Sequence, residues 1–488
     1  MSTELTAITD RLRELGLLVK LRGALPERVD AVTDDSRAAK PGTIFVAVRG
    51  SVRDGHDYLA AVEAQGAAAA IVEDESRTSL PAIVVNDARR AAAAAAAVIN
   101  GDPARKLQII GVTGTNGKTT TVGLLRHLLD EPDARAASIG TLGVLVGSGG
   151  EPLDGGSGLT TPGPIELQRV LAALVARGVT RVAMEVSSHS LHQHRVEGIV
   201  FAAGVFTNLT RDHLDYHGTM EAYLAAKALL VGLLAPDGVA VVNADDDAWK
   251  SLPHAPRRLT FSAEGRDADV RALDVRYRPR GSEWTLASAS ERAAVKLPLI
   301  GAFNVANALG AAGAASAVGV SVMTIAERLS RAPQVPGRLE LLHDAPAVLR
   351  DYAHTPDALE RALDAVRPFA TKKLIVVFGA GGDRDKGKRP VMGDIAARKA
   401  DIAIVTSDNP RTEDPERILD DIEAGMKGRK HERVEDRRAA IARALALAGD
   451  DDVIVLAGKG HETYQIRGTV KHHFDEKEIV HELTTAAR

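Results

Sequence analysis

No cysteine occurs anywhere in the 488 residues of the chain. That absence removes disulfide staples, thiolate metal sites and a cysteine nucleophile together, though it says little of compartment. Long apolar runs are missing too. None approaches the ~20 residues that a helix needs to cross a bilayer, so no membrane span is expected. The start, Met1-Ser2-Thr3-Glu4-Leu5, lacks the basic stretch and apolar core of a signal peptide, which places the chain in the cytoplasm. Nor is there an excess of cations. Lys and Arg number 61 against 65 Asp and Glu, for a formal net charge of −4, so nothing draws the chain to nucleic acid.

What remains is a soluble globular composition, 45% hydrophobic and 26% charged. The length suits about three domains at ~150 residues each. The most informative stretch is Gly111-Val112-Thr113-Gly114-Thr115-Asn116-Gly117-Lys118-Thr119-Thr120, which follows the apolar run 107–110 and precedes a helix-like run from Val122. Strand, glycine-rich loop and helix in that order cradle phosphates. Backbone N–H groups turn inward, Lys118 reaches the outer phosphates, and Thr119 offers a hydroxyl to Mg²⁺. The usual first glycine of such a loop falls on Val112, with glycines at 111 and 114 instead.

Upstream, residues 1–104 read as a small α/β module that ends at Gly101-Asp102-Pro103. In it, Ser36 and Arg37 suit either a ligand phosphate or a turn cap. Downstream, residues 105–335 alternate strands and helices as a doubly wound, mainly parallel sheet does. Strand candidates at 181–186, 203–207 and 238–243 run into polar clusters that hold Glu185, His213 and Asp245. Ligands bind outside the carboxyl ends of such strands. A carboxylate at the end of an apolar strand needs a partner, either a salt bridge or a Mg²⁺ ion. Lys227 sits in a mainly apolar helix, either snorkelling or buried for a purpose. Asn304 and Asn307 share one helix face and suit a base or ribose, or for Asn304 a cap. A hinge near 335–340 opens a third unit, 336–488, in which three strands end in loops that carry Arg384, Arg411 and Glu462. Two guanidinium forks and a carboxylate at one sheet edge suit a small zwitterion; a solvated basic loop is the alternative.

These motifs, with Glu185-Val186-Ser187-Ser188-His189, Thr207-Asn208-Leu209-Thr210-Arg211-Asp212-His213, Asp351-Tyr352-Ala353-His354-Thr355-Pro356 and Asp408-Asn409-Pro410-Arg411, resemble those of the Mur ligases of peptidoglycan synthesis. The resemblance covers nearly the whole chain and is closest to the members that add a diamino acid to UDP-N-acetylmuramoyl-L-alanyl-D-glutamate. It implies a domain for the UDP end, a central ATPase and a C-terminal Rossmann-like domain for the amino acid. It also implies ATP and Mg²⁺, an acyl phosphate, domain closure and a monomer.

Carried over by position, the resemblance makes Lys118, Glu185, His213 and Lys227 catalytic. Thr119, Glu185, His213 and a carboxylated Lys227 become the magnesium site, which replaces the bland reading of that lysine. The nucleotide falls to Gly114, Thr115, Asn116, Gly117, Lys118, Thr119, Thr120, Asn307, Arg338 and Asp351. The UDP substrate falls to Ser36, Ser51, Val52, Arg53, Thr160, Thr161, Ser187, Gln193 and Arg195. Positions 51–53 and Leu159 depart from the family pattern. meso-Diaminopimelate falls to Arg384, Asp408, Asn409, Pro410, Arg411, Gly458 and Glu462, with Arg411 supplying the fork for the carboxylate that lysine lacks. The rival readings are a sister ligase that adds L-lysine or D-Ala-D-Ala, a folate-polyglutamate or cyanophycin-type ligase, and a catalytically silent nucleotide-binding partner.

Overall fold

Short apolar runs form strands and the stretches between them helices, so the chain is α/β, as its pattern implies. The computed structural model describes residues 2–50, 53–156 and 158–486. Ser51 and Val52, two of the expected substrate contacts, lie outside the described residues. The chain divides into two units, the first Met1–Arg271, Ala287–Glu291 and Ala306–Arg328, the second Ala272–Leu286, Arg292–Val305 and Leu329–Arg488.

The first unit opens with helix α1 (Leu5–Glu14) and a sheet of β1 (Leu18–Arg22), β2 (Ala31–Thr33), β3 (Thr43–Val46), β4 (Ala69–Val72) and β5 (Ala82–Val85), in the order β1-β5-β4-β3-β2. Only β1 runs antiparallel to its neighbour. Helix α2 (Ala88–Ile99) buries Ala88 and Ala91 to Ala96. Its small side chains let it lie close on the sheet, and Asp87 caps it by accepting from Arg90 N at 3.0 Å.

A larger sheet follows. Within this unit it contains β6 (Gln108–Thr113), β7 (Arg135–Gly140), β8 (Gly143–Val146), β9 (Glu151–Leu153), β10 (Val179–Glu185), β11 (Phe201–Phe206), β12 (Leu234–Asn243) and β13 (Arg257–Ser262), ordered β9-β8-β7-β10-β6-β11-β12-β13. From β7 to β13 all neighbours are parallel. Because Val112 pairs with Glu185 and Thr113 with Phe206, these strands release their chains at one edge. Gly111 lies inside β6. A methyl there would sit 3.0 Å from the Phe201 ring and 3.1 Å from Val186, so this glycine serves packing rather than the phosphate loop.

In the second unit, β14 (Glu340–Asp344), β15 (Ala347–Asp351), β16 (Leu374–Phe378), β17 (Ile402–Val405), β18 (Glu432–Arg433) and β19 (Val453–Ala457) form a sheet ordered β14-β15-β19-β16-β17-β18. It is parallel except at β14. Strands β16, β17 and β19 are apolar throughout, and a buried cluster covers each face of the sheet. A hairpin of β20 (Tyr464–Arg467) and β21 (Val470–His473) follows β19. No helix among the described residues is long and apolar enough to cross a membrane.

Candidate active site

After β6 the backbone turns through two left-handed glycines, Gly114 at φ 148° and Gly117 at φ 86°. A methyl at Gly114 would lie 1.9 Å from Thr207 Oγ1, and one at Gly117 2.2 Å from Asn307 Oδ1. Only glycine fits either place. Gly117 leads into helix α3 (Lys118–Leu129), whose first turn buries Thr119 and Thr120. The neighbouring loop holds the turn open. Thr115 N donates to Asn208 O at 2.7 Å, Asn116 N to Asn208 Oδ1 at 2.9 Å, and Thr207 Oγ1 to Asn116 O at 2.7 Å. Lys118 folds over the loop, its Nζ donating to Gly114 O at 2.9 Å and Thr115 O at 2.8 Å.

Helix α4 (Met220–Ala228) brings Lys227 to the same place. This side chain is 1% exposed, donates to Gly114 O at 2.8 Å and lies 4.3 Å from the centre of the Tyr223 ring. Tyr223 is one helical turn earlier, with its hydroxyl 3.2 Å from Thr115 Oγ1. Burial, then the Lys118 cation, pushes the Lys227 ammonium well below its ordinary pKa; Asp212 opposes them. Nothing in the α4 pattern distinguished Tyr223 from a core aromatic. Its value lies in the spacing of four to Lys227.

His213 begins its short helical turn with a left-handed backbone, φ 53°, and its imidazole is 3.5 Å from Asp212 Oδ2. Burial lowers its pKa despite partial exposure; Asp212 raises it, and both Lys118 and Lys227 lower it. His213 therefore stands within the field of both lysines. It also packs edge-on against His189, ring centres 4.8 Å apart. His189 is driven to about 4 by burial and then by His213, His217 and Arg195.

Glu185 is fully buried at the end of β10. Its Oε1 accepts from Thr141 N at 2.8 Å and its Oε2 from Thr141 Oγ1 at 3.3 Å. Among the described residues no group of three or more His, Asp and Glu is drawn together as a metal cluster. The donor types expected for Mg²⁺, the Thr119 hydroxyl, the Glu185 carboxylate and the His213 imidazole, nevertheless suit a hard cation that keeps several waters and phosphate ligands. Lys227 fits such an ion only as a carbamate, since its ammonium would repel a divalent cation.

Five of the expected UDP-substrate residues form one network with Glu185. Thr161 Oγ1 donates to Glu185 O at 2.9 Å and accepts from Ser187 N at 3.2 Å; Arg195 Nη1 donates to Thr161 O at 2.9 Å and its Nη2 to Gln193 Oε1 at 2.7 Å. Thr160 Oγ1 accepts from Thr141 Oγ1 at 3.3 Å. Ser36 and Arg53 do not join it. Ser36 opens a single turn capped by Asp35, and Arg53 donates to Tyr58 at 3.1 Å.

In the second unit, Asp351 ends β15 with Oδ2 accepting from Leu339 N at 2.7 Å and Oδ1 from Ala353 N at 2.9 Å. Burial raises its carboxyl to about 6, with Arg338 pulling it down. Arg338 stacks over Tyr352, its guanidinium carbon 4.9 Å from the ring centre.

The loops after β16, β17 and β19 interlock. Gly382 N donates to Asn409 O at 2.9 Å, and Arg411 Nη1 to Gly382 O at 2.7 Å. Arg411 stands at φ 54°, its N–H on Ile466 O and its carbonyl accepting from Gly468 N. Nε and Nη2 of Arg411 donate to nothing among the described residues. Arg384 is exposed, and its Cγ and Arg411 Nη1 both approach Gly381. Asn409 Nδ2 donates to Glu462 Oε2 at 2.8 Å, which leaves Oε1 without a donor among the described residues. Gly458, at φ 115°, backs onto Asp408, where a methyl would lie 2.7 Å from Oδ2. The Pro410 carbonyl comes close enough to Gly382 that a methyl there would lie 1.9 Å from it. Lys459, which the sequence reading passed over, is fully buried among Asp408, Asn409 and Glu462. The signal available was a lysine three residues before Glu462 and two after the end of an apolar strand.

Three family models match in order along the chain: "Mur ligase family, catalytic domain" over residues 28–113, "Mur ligase middle domain" over 112–315 and "Mur ligase, glutamate ligase domain" over 337–460. The UDP-N-acetylmuramoyl-L-alanyl-D-glutamate--2,6-diaminopimelate ligase of Geobacillus kaustophilus is 43% identical over 470 residues, covering 94% of this chain and 95% of its own. The protein of that name from Gloeobacter violaceus is 45% identical over 468 residues, covering 94% of each. A solved ligase of the same name superposes with a TM-score of 0.71 at 35% identity, over 100% of this chain and 99% of that one. MurF from Acinetobacter baumannii, at 20% identity and a TM-score of 0.66, shares the fold. A phosphate loop crossed by two lysines, a buried strand-end glutamate and three matching family models in sequence lead to one conclusion: the chain belongs to the Mur ligase family.

Proposed function

We infer that the chain is an ATP-dependent ligase that joins meso-2,6-diaminopimelate to the side-chain carboxylate of D-glutamate in UDP-N-acetylmuramoyl-L-alanyl-D-glutamate, a cytoplasmic step of peptidoglycan precursor synthesis. The observation that carries the amino-acid assignment is how the head groups of Arg411 and Glu462 are held. Each is anchored by one side of its head group, and each keeps the other side unbonded among the described residues. A guanidinium edge for a carboxylate and a carboxylate oxygen for an ammonium match the far end of a diamino dicarboxylic acid.

On this reading the loop from Gly114 to Gly117 and the first turn of α3 receive the ATP phosphates, and Lys118 exchanges its two carbonyl partners for phosphate oxygens. Asn307, Arg338 and Asp351 are nucleotide contacts. Thr160, Thr161, Ser187, Gln193 and Arg195 hold the UDP substrate, with Ser36 and Arg53 at its far end. The γ-phosphoryl group passes to the substrate carboxylate and ADP leaves. The amine of diaminopimelate then attacks the acyl carbon, the amide forms and phosphate departs. Mg²⁺, when bound through Thr119, Glu185, His213 and carboxylated Lys227, offsets phosphate charge. The protein supplies position and field rather than a nucleophile.

The test is phosphate release with ATP, Mg²⁺, the UDP-muramoyl dipeptide and either diaminopimelate or L-lysine. Turnover with diaminopimelate and little with lysine is expected, because lysine leaves Arg411 unpaired at a cost of about 2–4 kcal/mol. Equal turnover with lysine overturns the Arg411 argument, and no phosphate with any amine favours a silent nucleotide-binding partner.

A further inference from the structure

We propose that Lys459 is a positioning residue that sets the charge of the amino-acid pocket, making it match a zwitterionic head group rather than a lone ammonium. The inference rests on the diaminopimelate reading above and goes beyond it, since Arg411 alone accounts for the second carboxylate and not for how the ammonium is limited to one.

Lys459 is the second residue after β19, and its side chain is 0% exposed. Its Nζ donates to Asn409 Oδ1 at 3.1 Å and to Glu462 Oε2 at 3.4 Å, and lies 3.6 Å from Asp408 Oδ1. The rings of Tyr464 and Phe474 close over it, 6.0 and 5.8 Å from the nitrogen. A buried ammonium is tolerated only where carboxylates and hydrogen-bond acceptors replace its water. Here two carboxylates and an amide oxygen do so.

The consequence is a count of charge. Asp408 Oδ1 is buried and accepts no hydrogen bond among the described residues, so its charge is answered through space by Lys459. Glu462, at 16% side-chain exposure, is the carboxylate that still meets the pocket. Asp408 and Glu462 contribute two negative charges, Lys459 and Arg411 two positive ones, and the sum is zero. Arg384 stands in solvent, where its charge is screened. Tyr464 registers the same groups from one side: burial first, then Glu462, raises its phenol, Arg411 opposes, and Asp408 raises it further. A neutral site with one free carboxylate oxygen and one free guanidinium edge accepts a head group that carries both signs. It gains nothing in net attraction for a head that carries an ammonium alone.

Lys459 acts through geometry as well. Asn409 Oδ1 accepts from Lys459 and from Ile466 N at 2.9 Å, which turns its Nδ2 toward Glu462 at 2.8 Å. The lysine thereby fixes both the amide orientation and the rotamer of the glutamate.

The test uses the full-length enzyme and compares kcat/KM for meso-diaminopimelate with that for L-lysine in wild type, Lys459→Met, Asp408→Asn and the double variant. Methionine keeps most of the stem and removes the charge. Lys459→Met is expected to lower the diaminopimelate-to-lysine ratio about tenfold or more, through a raised KM for diaminopimelate and a lowered one for lysine, the scale of one unit charge at close range in a partly buried site. KM for ATP and for the UDP substrate should not move. Asp408→Asn alone should shift the ratio the opposite way, and the double variant, again neutral in sum, should return toward wild type. An unchanged ratio in Lys459→Met overturns the inference. So does a double variant no closer to wild type than Lys459→Met, because that marks a purely structural role. Should Lys459→Met fail to fold, an unmoved ratio in Asp408→Asn overturns it equally. A wild type with no preference for diaminopimelate instead refutes the functional reading on which this rests.

Discussion

Lys118 and Lys227 donate to one carbonyl oxygen, that of Gly114, at 2.9 and 2.8 Å. Two ammonium groups so close repel, and burial of Lys227, then the Lys118 cation, pushes its pKa well below the ordinary value, which favours the neutral amine. A neutral amine is what reacts with carbon dioxide, and the resulting carbamate turns a repelled cation into a ligand for a divalent ion. The native protein's mass is expected to exceed that of the chain by one carbon dioxide at Lys227, and depletion of carbon dioxide should lower phosphate release. Lys227→Ala should cost at least about a hundredfold in kcat, of the order seen when a group that stabilises transition-state charge is lost. Full activity in bicarbonate-free buffer with no added mass would remove the carbamate from the mechanism.

Arg411 fixes one edge of its guanidinium on Gly382 O and leaves the other for a ligand. Arg411→Lys keeps the charge and loses the fork. KM for diaminopimelate should rise about tenfold with kcat little changed, the scale of about 1.4 kcal/mol for one lost charged hydrogen bond. Steady-state kinetics checks this, and unaltered values would take Arg411 out of the pocket.

Asp351 has a measurable signature in stability. Burial raises its folded carboxyl to about 6, against ~3.9 in an unfolded chain. The folded state therefore binds this proton more tightly. Its contribution is fully present below the unfolded value and is lost as pH rises to about 6. Unfolding of wild type and Asp351→Asn in denaturant at pH 4.5 to 7 should show wild type losing about 2 kcal/mol relative to the variant across that window. Parallel curves would mean that Asp351 is ionised throughout.

The glycines separate into two kinds. Gly114→Ala and Gly117→Ala force a side chain into left-handed backbone and into Thr207 or Asn307. Both should abolish nucleotide binding, measured by calorimetry. Gly111→Ala instead crowds Phe201 and Val186 within β6. It should destabilise the protein by about 1–3 kcal/mol while a folded fraction still binds ATP. Loss of binding without loss of stability at Gly111 would put it back in the phosphate loop.

The phosphate loop was legible in the sequence because its chemistry is local: a strand, two glycines, a lysine and a helix start lie within ten residues. The parallel sheets were legible for the same reason, since β6, β10, β16 and β19 are short apolar runs with polar loops behind them. Lys459 was not, because what makes it unusual is burial between Asp408 on one strand's loop and Glu462 on its own, and burial is a product of packing. Gly111 misled for the complementary reason. It lies near a glycine loop in sequence, yet its neighbours are Phe201 and Val186, some 75 to 90 residues away. Tyr223 looked like an ordinary helix residue until α4 set it beside Lys227.

Strands β15 and β19 are neighbours, and Gly458 N donates to Asp351 O at 3.0 Å. Gly460 presses on Tyr352 so closely that a methyl would lie 2.6 Å from its Cβ. The segment proposed to read the nucleotide thus shares a backbone seam with the loop proposed to read the amino acid. A change in affinity at one on filling the other would, by reciprocity, be matched in size in the opposite direction of coupling. For a ligase this is a form of timing: a nucleotide held beside a filled amino-acid pocket is a different ligand from one held beside an empty one.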